Sequence, residues 1–80
     1  MIYSMYCIRD AVLDAFEAPW CALSNASAQR TFRNLLEDAD SPYSRNKEDY
    51  SLWLVGEFDT VDGIRPCEPV RLMSGFGGDK

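Results

Sequence analysis

The chain contains no histidine. General acid–base work near neutral pH needs groups that titrate there and converge on a pocket, so the candidates left are carboxylates and thiols. Glu57 and Asp59 stand at i and i+2, which on a strand puts both on one face. With the turn acid Asp62 they could offer oxygen ligands to a hard cation. The run DTVDG, Asp59 to Gly63, is too short to wrap roughly six oxygens around an ion. The plainer reading is a solvated hairpin end, with Asp59 bonding its own turn backbone.

Three cysteines are present, Cys7, Cys21 and Cys67. The number is odd and no pair has CxxC spacing, so a zinc site would need an unusual ligand set. A thiolate nucleophile needs a base and a positive surrounding. Cys7 has only Arg9 nearby in sequence, and Cys67 lies between Arg65 and Glu68. All three read as reduced, mostly buried, small hydrophobes, which suits a cytoplasm. The GFGG near the C-terminus lacks the preceding strand and following helix of a phosphate loop. The expectation is no catalytic residue, no metal and no cofactor, hence a protein that binds rather than one that does chemistry.

Aromatic side chains carry a stronger signal. Tyr3, Tyr6, Trp20, Tyr43, Tyr50, Trp53 and Phe58 fall on or beside predicted strands. Aromatics on a sheet can stack unpaired bases, each worth about 1–3 kcal/mol. At the same spacing they can also be core, or the interface of a dimer. Bases that could line one face beside them give the candidate nucleic-acid-binding set Tyr6, Arg30, Arg33, Arg45, Lys47, Trp53 and Arg71. The alternative is that each base pairs with a surplus surface acid and contributes little. With 13 acids against 8 bases the net charge is −5. That counts against bulk, non-specific binding to phosphate backbones, but not against a local basic patch.

The elements that must position these residues follow from periodicity. Residues 2–9 fit a strand apolar on both faces, with Ile2, Tyr6 and Ile8 on one side and Tyr3, Met5 and Cys7 on the other. Residues 10–17 read as the loop of a wide hairpin. Residues 18–23 read as a second strand, with Pro19 at its start or edge. Ser24 or Asn25 caps a helix over about 25–38, on which Ala28, Phe32, Leu35, Leu36 and Ala39 form one apolar stripe opposite Arg30, Arg33 and Glu37. Residues 39–49 are a polar loop. Residues 50–58 form the strongest strand, with Leu52, Leu54 and Phe58 alternating against Ser51, Trp53, Val55 and Glu57. After the Asp62-Gly63 turn, residues 64–73 return as an edge strand interrupted by Pro66 and Pro69. The fold class is α+β: a small antiparallel four-stranded sheet with one helix packed on a face, in the order β-β-α-β-β. The expected organisation is a single domain over 1–73 with a loose Gly-rich tail over 74–80. The second sheet face should show Trp53 and one set from the first strand, and exposed aromatic patches mark interaction sites. Together with the small size, this predicts a homo-oligomer. No apolar run approaches the ~18 residues of a membrane span, and no signal peptide is visible.

The stretch EDYSLWLVGEFDTVDGIRPCEPVRLM, residues 48–73, resembles the small nonstructural protein of gokushoviruses, the microvirus group of single-stranded DNA phages. The matching pieces are Asp49-Tyr50, Leu52-Trp53, Val55-Gly56, Phe58-Asp59, the Gly63 turn and Pro66-x-x-Pro69. The start, IYSMYCIRD, and the helix piece Ala28-Gln29-Arg30-x-Phe32-Arg33-Asn34 are also similar to that family. The resemblance covers about three quarters of the chain, and its specificity lies in order and spacing. It implies a nonstructural accessory protein of the host bacterial cytoplasm. It also implies single-stranded DNA binding or a part in the switch from replication to packaging, with the replication initiator or a procapsid protein as further partners. No catalytic residue comes with it. The alternative is a protein–protein module, an assembly factor or host-factor modulator, that binds no nucleic acid.

Overall fold

A computed structural model describes residues 1–75. The chain is α+β, with one curled antiparallel sheet and one main helix. Strand β1 (Ile2–Asp10) is central. On one side it pairs with β2 (Ala15–Phe16) and β3 (Trp20–Ala22), and on the other with β4 (Tyr50–Asp59). Strand β5 (Gly63–Ser74) pairs with β4 and forms the edge. A ladder donor is missing wherever proline sits, so Pro66 and Pro69 suit that edge.

Helix α1 (Asn25–Glu37) begins where the sequence places it. The Ser24 side chain accepts the Ser27 N–H at 3.1 Å, which satisfies one of the orphan donors of the first turn. Its buried residues are Ala28, Phe32 and Leu36, one per helical turn. They pack on Tyr6, Ile8, Leu52 and Met73 of the sheet, and these seven residues are the core. The segment read as a polar loop holds α2 (Pro42–Arg45) and a 3-10 turn (Lys47–Asp49). Ser74, expected in a loose tail, belongs to β5. Gly75 is buried, with its N–H donating to the Tyr50 carbonyl at 2.7 Å. The remainder of that expected tail, 76–80, lies outside the described residues.

Several register slips decide which side chains share a face: one between Leu52 and Trp53 leaves Leu72 extra in β5 and sets Arg71 opposite Trp53, and two others place the aromatic residues. Arg9 pairs with Phe16, yet Tyr6 pairs with Trp20, so one extra residue is accommodated across Ala18–Pro19. Directly paired residues share a face. The slip therefore puts Phe16 on the side away from α1 and Trp20 on the side toward it, although four residues apart in a regular strand they would share one face. In β4, Tyr6 pairs with Leu54 and Met5 with Gly56, which leaves Val55 as an extra residue. The slip turns Phe58 away from the helix, where it pairs with Tyr3 and Ile64. Regular alternation had placed Phe58 with Leu52 and Leu54, and the bulge corrects this. Residues 10–17 are likewise not wholly loop, because Ala15 and Phe16 pair with β1.

Candidate nucleic-acid interface

The sheet face away from α1 is built row by row from the register. Cys7, Trp53 and Arg71 form one row, Tyr3, Phe58 and Ile64 another, and Arg9 joins Phe16 and Ser51 in a third. Between the first two stand Met5, Gly56 and Pro66, with Cys21 opposite Met5. No helix covers these rows. Tyr3, Met5, Trp53 and Phe58 are half-buried, while Phe16 and Ile64 are 44% and 64% exposed. At ~3.4 Å per residue the run from Tyr3 to Arg9 is about 20 Å long.

Trp53 is held in place. Its Nε1–H donates to Ser51 Oγ at 2.8 Å, and the Phe16 ring meets it edge-on at 5.7 Å and 90°. Such a pair adds ~0.5–1.5 kcal/mol beyond area burial. The Arg9 guanidinium carbon lies 6.0 Å from the Phe16 ring centroid, and Arg9 also pairs with Asp14. Cys7 is buried in the same row as Trp53 and Arg71, and burial pushes its thiol pKa up. A thiol held protonated is a poor nucleophile.

Charge is segregated across the sheet. The carboxylates within β1 and β4 are Asp10, Glu57 and Asp59, and by register all three lie on the other side from Trp53. Among positions with a ladder partner, those facing away from the helix carry Arg9 and Arg71 as their charged residues, with Asp14 reaching Arg9 from the turn; Glu68 lies in the irregular stretch of β5 between Pro66 and Val70. The Glu57 and Asp59 carboxylates flank Arg65 at 3.9 and 3.0 Å, and Asp59 accepts the Val61 N–H at 2.9 Å. That backbone bond, then the Asp62 N–H, Arg65 and the N-terminal amine, hold the Asp59 carboxyl below its usual range. This is the hairpin-end arrangement. Among the described residues no group of three or more Cys, Asp or Glu is gathered to hold a metal ion.

The candidate residues divide between several parts of the molecule. Trp53 and Arg71 are paired neighbours, and both lie on the uncovered face. Tyr6 does not belong with them. It is completely buried under α1, and its hydroxyl donates to Asn25 Oδ1 at 2.7 Å, so no base can reach its ring. Arg30 and Arg33 are exposed on α1, across the sheet from Trp53, and Arg45 and Lys47 are exposed in the link from α1 to β4. Sequence reasoning missed Arg9 and Phe16. Phe16 fell inside a segment read as loop, and Pro19, which marks the slip, was the available signal.

Among known proteins, the family described as Phage ORF5 protein matches residues 3–76. No curated protein and no solved structure matches the chain.

Proposed function

This chain belongs to the Phage ORF5 protein family, and we propose that it is an accessory protein that binds single-stranded DNA on the uncovered face of its sheet. The observation that carries this proposal is a face of Trp53, Phe16, Tyr3 and Phe58 on which the charged residues of β1 and β4 and their paired partners are Arg9 and Arg71. Unpaired bases stack on exposed aromatic rings with little regard to sequence. Arg71 and Arg9 stand beside those rings to meet phosphates. Duplex bases are already stacked, so the face favours single strands. The resemblance to gokushovirus nonstructural proteins supports a microvirus setting, the host cytoplasm and a part in the switch from replication to packaging.

Arg9 and Arg71 each exchange a present partner for a phosphate, which makes about two contacts, and the log–log slope of affinity against salt is about −1.4 by the ~0.7 per contact rule for single strands. Fluorescence anisotropy with a labelled oligonucleotide at several salt concentrations measures it. Trp53→Ala weakens binding more than Arg45→Ala does. A steep slope with equal duplex affinity would refute stacking as the main source of affinity. The net charge of −5 favours a second reading, a protein partner such as a replication initiator or procapsid protein. Absence of oligonucleotide binding at about 50 mM salt would leave that reading in place.

A further inference from the structure

On the helix side of the sheet the Ala18–Pro19 slip leaves a cleft of about 210 Å³ between β1, the β2–β3 link, α1 and α2. Ile8, Ala18 and Leu35 make it apolar, and Trp20 and Thr31 wall it. Glu17 and Tyr43 complete the lining, joined by a hydrogen bond from the Tyr43 hydroxyl to Glu17 Oε1. Small-molecule sites usually run to about 300–1,000 Å³. At about 30 Å³ per water, this one holds roughly seven waters, the bulk of one long side chain rather than of a cofactor.

The charge around the cleft has one sign. Glu17 is exposed and one of its oxygens is engaged by Tyr43, which leaves the other open to a donor. No lysine or arginine lines the cleft. Burial, its own hydrogen bond to Glu17 and Coulombic repulsion from Glu17, Tyr50 and Asp10 push the Tyr43 phenol up to about 12, so it stays a donor to Glu17. A carboxylate beside an apolar trough with an indole wall suits a cationic head on an alkyl stem.

We propose that the cleft between Trp20, Leu35 and the Glu17–Tyr43 pair receives a single lysine or arginine side chain of a partner polypeptide. It lies across the sheet from Trp53, so such a partner and an oligonucleotide would occupy opposite sides of one molecule.

The test is a titration of the labelled protein, followed by amide and indole NMR shifts. The probes are N-acetyl-lysine amide and N-acetyl-arginine amide, with N-acetyl-norleucine amide as the uncharged control. Saturating shifts at Ala18, Trp20 and Thr31 are expected from one or both cationic probes. Affinity for norleucine is expected to be lower by about fivefold, the upper worth of an exposed ion pair. Glu17→Gln, which keeps an acceptor for Tyr43, should erase that preference. Ala18→Leu, which fills the cleft, should abolish the shifts in a protein whose spectrum otherwise stays dispersed. Equal norleucine affinity, a preference that survives Glu17→Gln, or no shifts at tens of millimolar probe would overturn the proposal. DNA binding is read at the Trp53 indole, so its success or failure is separate.

Discussion

Phe32→Ala is the sharpest test of how the helix sits on the sheet. Phe32 is completely buried and belongs to the cluster joining α1 to β1, β4 and β5. Truncating a buried phenylalanine costs about 3–5 kcal/mol, since transfer and cavity terms add. At ~0.05–0.15 kcal/mol per residue, 80 residues have roughly 4–12 kcal/mol in total. The variant therefore loses between a quarter and all of its stability, a drop of about 12–40 °C in Tm at ~4–8 °C per kcal/mol. Urea titration followed by circular dichroism measures the wild type, and the same titration in an osmolyte keeps a marginal variant folded at its start. Phe32→Leu retains most of the volume and should cost less than about 1.5 kcal/mol. Arg33→Ala, on the exposed side of α1, should stay within about 0.5 kcal/mol. Equal midpoint shifts for Phe32→Ala and Arg33→Ala would refute the packing.

Gly56→Ala should cost about 1–3 kcal/mol in the same titration, because an added Cβ would lie 2.7 Å from the Arg65 carbonyl oxygen and force β4 from β5; an unchanged midpoint would mean that the hairpin is looser than described. Asp59 has a lowered carboxyl pKa, so its contribution is present above the ordinary aspartate range and is lost as pH falls through the lowered value; Asp59→Asn should flatten that acid-side loss in stability measured against pH. Tyr43 has a raised pKa of about 12, so Glu17→Gln should move its tyrosinate absorbance toward the ordinary value, with Tyr43→Phe identifying the signal. The uncovered sheet face predicts self-association, seen by light scattering as a species heavier than 9.1 kDa that oligonucleotide dissociates; a 9.1 kDa species across the micromolar range would count against it.

The helix was legible because one physical signal dominated it. A Ser24 cap and the stripe through Ala28, Phe32 and Leu36 specify both its start and its buried face. The core positions of β1 and β4 were legible for the same reason as far as Leu54. The sheet's outer face was only half legible. Period-two reasoning assumes an unbroken ladder, and a single extra residue inverts every face beyond it. The two slips that place the aromatic residues had local marks, Pro19 in one case and an isolated strand glycine, Gly56, in the other. Neither mark says by itself on which strand the extra residue lies. Tyr6 was misassigned to the interface because a tyrosine on a two-sided apolar strand can face either way, and its partner Asn25 is 19 residues on. The basic residues were misgrouped because sequence proximity to an aromatic does not survive folding. Arg9 came to Phe16 through pairing, whereas Arg30 and Arg33 went to the far side of the sheet.

The slips also bear on why the outer face is aromatic at all. An 80-residue domain has little apolar surface to spare, and contiguous exposed apolar patches are an aggregation hazard unless something binds them. A regular β4 would turn Phe58 toward the helix side. The Val55 bulge instead sends it to the side of Tyr3 and Trp53, and the Ala18–Pro19 slip does the same for Phe16. Two of the ladder's interruptions thus place aromatic rings on one uncovered face. Each interruption costs backbone hydrogen bonding; the Ala18–Pro19 slip also sets Trp20 against the helix-side core beside Tyr6, whereas the Val55 bulge adds nothing there that is fully buried. The acids of β1 and β4 meanwhile face the other way. The aromatic rings and the row of Trp53 with Arg71 coincide on one surface, which is the pattern that the proposed single-strand binding would use.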